Sequence, residues 1–222
     1  MKYSKAMRFI TETVQGDDGY HTLSRHELRQ LTRQLEAMEN LAENKSPKDT
    51  DAAHVLKLES VGKQLLEKRN KAKAIIEQRT GEALQMIDRQ VRQSLNMKHT
   101  PFANEVRSAL RSMSSTGRAR AIDNAIKNKD GGFFEAIEEA PAMLSGIDKK
   151  MQKESVTRFM QAHAPDLLAK SEAVLESFTA SLDALDVPVR AVREGVNPDA
   201  LQGIKAAEER HLQAQRAFDK SE

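Results

Sequence analysis

The chain has no cysteine, no tryptophan and only two tyrosines, and aromatic residues make up 4% of it. Without a thiol there is no disulfide framework, no cysteine nucleophile and no thiolate metal site. No apolar run approaches the ~20 residues that a membrane-spanning helix needs. The first residues carry Lys2, Lys5 and Arg8 with no apolar core behind them, so they do not read as a secretory signal. The sequence also lacks the GxSxG elbow, the GxxxxGK(S/T) phosphate loop, GxGxxG and HExxH, so neither nucleotide nor zinc chemistry has its usual carrier. What is present is 222 residues, 39% hydrophobic and 31% charged, rich in helix formers: helices with much exposed surface.

The net charge of +2 is unevenly spread. Residues 1–130 hold 24 Lys and Arg against 17 Asp and Glu, or +7, and residues 131–222 hold 11 against 16, or −5. A basic front and an acidic back fit end-to-end self-association or an anionic partner for the first half. They equally fit solvated helix faces.

Nearly every segment keeps helical period. Residues 3–15 place Met7, Ile10 and Val14 on one face, and Gly16-Asp17-Asp18-Gly19 then favours a turn. Ser24 and Glu27 have the spacing of a capping box, predicting a helix from there to about Asn44 with Leu28, Leu31, Leu35, Met38 and Leu41 at steps of three and four. Thr50-Asp51 marks the next start. From Ala52 to Met97 there is no proline, and Val55, Leu58, Val61, Leu65, Ala72, Ile76, Ala83, Ile87, Val91 and Leu95 keep to steps of three, four or seven. Such a helix would be roughly 70 Å long, with Gly81 as its expected kink. The stripe is narrow and outruns the helix before it. Leu58, Val61, Leu65, Ala72, Ile76, Ala83, Ile87, Val91 and Leu95 are therefore the candidate seam for a partner or a second copy.

Thr100-Pro101 reads as a fresh helix start. Short helices follow at about 101–114, 117–128, 131–139, 148–162 and 165–186, with larger and denser apolar residues among them Phe133, Phe134 and Phe159. Pro188 is expected to end the last, and Asn197-Pro198 to cap a final helix to about Phe218. The expected fold is all-α: a long helical hairpin or coiled-coil-like region over 1–99, a compact bundle over 100–188 and a C-terminal helix over 189–222.

Few constellations suggest chemistry. Registering Glu27 as the last ligand of a calcium loop leaves only Asp18 in a ligand position. The six histidines include no pair three or four apart on a predicted helix. Glu138-Glu139 diverge by about 100° on a helix and read as solvated faces. Gly131-Gly132 could open a phosphate-binding helix N-terminus, though a plain turn capped by Asp130 explains it. No cofactor or metal is expected. The densest basic cluster is Arg107, Arg111, Arg118, Arg120, Lys127 and Lys129, around a turn that superficially suggests helix-turn-helix; these are the candidate nucleic-acid contacts.

Asn104-Glu105-Val106-Arg107, Arg120-Ala121-Ile122 with Ala125-Ile126, the break at Lys129-Asp130-Gly131, Ala140-Pro141-Ala142-Met143-Leu144-Ser145-Gly146, and His163-Ala164-Pro165-Asp166-Leu167 set out a pattern over residues 102–185. In it the chain resembles small helical proteins encoded in tailed-bacteriophage genomes. The resemblance implies a role in or around the virion as scaffold, internal or portal-proximal component, in a particle or the bacterial host cytoplasm, and it carries over no functional residue. The expected function is a non-enzymatic structural or assembly protein, a homo-oligomer or a partner of other virion proteins. The alternative is a nucleic-acid-associated helical protein using the basic first half.

Overall fold

The computed structural model describes residues 2–14 and 19–219, and side chains among them except at 19 and 217–219. The turn expected at Gly16-Asp17-Asp18-Gly19, and the place of Phe218 on the last helix, lie outside what is described. Among the described residues the protein is all-α, with no strand. The helices are α1 (Lys2–Thr13), α2 (Gly19–Glu43), α3 (Asp51–Ser94), α4 (Ala103–Ser112), α5 (Ser115–Lys127), α6 (Gly131–Glu138), α7 (Lys149–His163), α8 (Pro165–Gly195) and α9 (Pro198–Asp219), with a 3-10 turn over Ala142–Ser145. By their contacts the residues form two compact units. The first joins residues 1–80 to 175–222, and the second is the contiguous stretch 81–174. The crossings therefore fall inside α3 and α8, where the sequence had suggested boundaries at 99/100 and 188/189.

In the first unit α1 and α2 run antiparallel and are joined at three levels. The Glu39 carboxylate accepts hydrogen bonds from the amides of Tyr3 (2.7 Å) and Ser4 (3.2 Å), the free donors at the start of α1. Arg8 pairs with Glu36, and Arg29 with Glu12 at 3.6 Å. Beneath this lies a core of Leu28, Leu31, Leu35 and Met38 from α2, Leu65, Ala72 and Ile76 from α3, and Ala184, Leu185, Val187 and Ala191 from α8. Small residues let α3 and α8 approach: a Cβ built on Gly62 would lie 3.0 Å from Val192 Cγ1.

Three sequence expectations are corrected here. Pro188 does not end its helix, for α8 continues to Gly195 with the proline buried inside it. Proline has no N–H to give the carbonyl four residues back. On the same turn, Arg69 Nε donates to the Leu185 carbonyl (2.9 Å) and Arg69 Nη2 to Asp186 (3.0 Å), which ties this stretch of α8 to α3. Ser24 and Glu27 form no capping box, because α2 begins at Gly19 and Ser24 is buried inside it. Nor does Thr100-Pro101 open a helix. That pair and Phe102 form a turn, and α4 starts at Ala103.

The second unit packs α4 to α7 and the ends of α3 and α8 around Val91, Leu95, Leu110, Ile122, Phe134, Ile137 and Phe159. Phe134 and Phe159 stack with centroids 4.1 Å apart. Local caps follow the sequence: Ser114 accepts from the Gly117 amide, Asp130 from Phe133 and Asp148 from Met151. Gly131 is required for a close approach, since a Cβ there would fall 2.0 Å from the Leu95 carbonyl oxygen. That contact, and no ligand, accounts for the glycine.

Candidate functional site

The nine seam residues of α3 divide between the two units and face inward in each. In the first, Leu58, Leu65, Ala72 and Ile76 are buried and Val61 packs against the same core. In the second, Val91 and Leu95 are buried, Ile87 packs against their core and Ala83 is half-buried. α2, α8 and the short helices of this chain supply the cover that the sequence reading sought in a partner. α3 is also unbroken through Gly81, where a Cβ would meet nothing within 4 Å.

Of the six basic candidates, Arg111 and Arg118 come close to one another, at Gly146. Arg107 is 12% exposed and works inside the second unit, donating to the Ala136 carbonyl and to Asn104 Oδ1, both at 2.7 Å. Arg111 and half-buried Arg118 flank Gly146, whose left-handed φ of 69° and lack of a side chain let them close in. Arg118 and Arg120 are two apart on α5 and so leave it in different directions. Arg120, Lys127 and Lys129 are exposed. The helix-turn-helix reading therefore loses its shared face.

Glu138 and Glu139 diverge as expected, yet each is engaged rather than merely solvated. Arg92 reaches Asp88 (3.2 Å), Glu135 (2.8 Å) and Glu138 (3.0 Å) at once. Burial opposes the Arg92 charge, but Glu138, Asp88 and Glu135 outweigh it and push the guanidinium above its ordinary value. Glu139 bonds His99 Nδ1 at 2.8 Å. The Arg92 pairs with Glu135 and Glu138 tie α6 to α3.

Two surface features were not singled out by sequence reasoning. One is a basic groove on α2 lined by Thr22, Arg25, His26, Arg29, Gln30 and Arg33; its signal was an arginine at every fourth position. The other is the bareness of α9. Leu201 and Ile204 are half-buried, but every residue from Lys205 to Arg216 is exposed. α9 is tied to α3 by Lys205 and Glu59 at 2.7 Å, and Asn197 caps its start by accepting from the Asp199 and Ala200 amides. Hydrogen bonds from Lys205 and Lys63 hold the Glu59 carboxyl below its ordinary value.

Among the described residues there is no group of three His, Asp or Glu placed to hold a metal, and no helix is long and apolar enough to cross a membrane. Comparison with protein-family models, with curated proteins and with solved structures finds no match.

Proposed function

We propose that the protein is a non-enzymatic structural or assembly protein that docks through α9. The observation that carries the reading is the unbroken exposure of residues 205–216 on a 22-residue helix. Helices in proteins draw most of their stability from packing an amphipathic face. Here Leu212, 46% exposed, is an apolar residue in the middle of that exposed run. A second copy or another protein laid along α9 would supply the missing contacts. The resemblance over residues 102–185 supports the more specific version: a component of a tailed-bacteriophage particle acting as scaffold, internal or portal-proximal protein, in the virion or the host cytoplasm. The buried α3 stripe no longer contributes to this reading, so α9 carries it alone.

Sedimentation over a wide concentration range tests the self-association version. The full chain is expected to associate, and a chain ending at Asn197 to remain monomeric while still unfolding cooperatively. Monomers in both cases would refute it. A Leu212→Glu change in the full chain is expected to reproduce the truncation.

A further inference from the structure

Several exposed helix faces set opposite charges four residues apart, where they attract: Glu59–Lys63, Lys73–Glu77, Asp88–Arg92 and Lys150–Glu154. One face of α2 does the reverse. Arg25, Arg29 and Arg33 follow one another at four-residue steps, about 6 Å apart along the axis, so that like charges are neighbours twice over. Like charges in this relation destabilise a helix. The groove that they line is completed by Thr22, His26 and Gln30, and it contains neither a carboxylate nor an apolar side chain. Gln30 Nε2 and His26 Nε2 are 2.7 Å apart and hold each other in place. Arg29 and Arg33 also line the adjoining furrow towards α1. Of the two carboxylates in that furrow, Glu36 is engaged by Arg8, and Glu12 meets Arg29 only in an exposed 3.6 Å pair that water screens.

We propose that this face of α2 binds the phosphodiester backbone of a nucleic acid without reading its sequence. Guanidinium groups grip phosphate oxygens two at a time, and a row of them at regular intervals matches a chain of regularly spaced anions. Threonine and glutamine add neutral donors of the kind that contact phosphate and sugar. A peptide helix would need apolar anchors in the groove, and a bilayer would need apolar side chains to insert; the lining offers neither. A bound phosphate strand also relieves the repulsion within the row.

The test is fluorescence anisotropy of a short fluorescein-labelled DNA duplex of arbitrary sequence titrated with the full chain. Binding is expected at ~50 mM salt, with log affinity falling against log salt at a slope of about −2, as phosphates neutralised by Arg29 and Arg33 require. R29E/R33E is expected to lower affinity by tenfold or more (an order-of-magnitude estimate). R120E/K127E, on α5, is expected to leave it within about twofold. If R29E/R33E disturbs the far-ultraviolet circular dichroism, R29Q/R33Q removes both charges without reversing them and is read in its place. No binding at low salt, equal loss in the α5 variant, or tighter binding to poly-glutamate or to phosphatidylserine vesicles than to the duplex would each overturn the proposal.

Discussion

Arg92 shows how a single residue can be fixed by its surroundings. Its guanidinium is about two-thirds covered and meets three carboxylates. Replacing it with methionine keeps most of the packing but leaves Glu135 and Glu138 close together with no cation. We expect Arg92→Met to destabilise the protein by about 1.5–3 kcal/mol, measured by urea unfolding. Glycines make a sharper contrast. Gly131→Ala drives a methyl into the Leu95 carbonyl and is expected to cost at least about 3 kcal/mol, since the obstacle is backbone and cannot rotate away. Gly81→Ala meets nothing within 4 Å in the interior of α3 and should stabilise by up to about 1 kcal/mol. If the two changes had similar effects, the close approach at Gly131 would be wrong. None of this was legible in the sequence: both are glycines beside polar residues, and what separates them is a backbone segment more than thirty residues away in one case and open space in the other.

At the scale of elements, what could be read was what is settled locally. Helical period located every helix, and Thr50, Asp130 and Asn197 cap as their spacing suggests because a cap bonds amides two or three residues on. Where a distant element intervenes, local reading failed. Pro188 looks like a stop until the core of α2 and α3 buries Leu185, Val187 and Ala191 on either side of it and holds the helix together. The α3 stripe looks bare until α8, more than a hundred residues later, covers its first part. The arginine row of α2 shows in the sequence only as spacing, since Glu27 lies among its three arginines and Glu36 follows them, which dilutes its charge. α1 offers a test at this scale, since its start is capped from another helix. Burial works against the Glu39 charge, but the Ser4 hydroxyl and the Tyr3 and Ser4 amides outweigh it, holding the carboxyl below its ordinary value. A carboxylate lowered in the folded state adds stability above its unfolded pKa and loses it as pH falls through the folded value. Glu39→Gln should therefore cost about 1 kcal/mol at neutral pH. The difference from the parent chain should shrink below about pH 4, read from thermal midpoints across pH.

At the scale of the whole molecule, the two units differ in how the sequence supplies them. The second is one contiguous stretch with its own apolar core, so residues 81–174 expressed alone should be helical and unfold cooperatively in calorimetry. Residues 1–80 alone lack the α8 part of their core and should show no such transition. A cooperative transition in the 1–80 piece would mean that α8 contributes little. Asp51 and Glu59, like Glu39, are held below their ordinary values, Asp51 chiefly by a hydrogen bond from Lys45. Acid should accordingly weaken the first unit as these carboxylates protonate.

The divided first unit also sets an order of events on the ribosome. Leu65, Ala72 and Ile76 emerge from the tunnel well before Ala184, Leu185 and Ala191, which bury them, have been translated. The gap is about 110 residues, or roughly 5–20 s of elongation. Through that interval the nascent chain displays an unsheltered oily flank, while the contiguous middle stretch can already be closing up behind it. A chaperone that holds apolar helices would find its substrate in this window, and slowing codons placed after residue 80 would lengthen it.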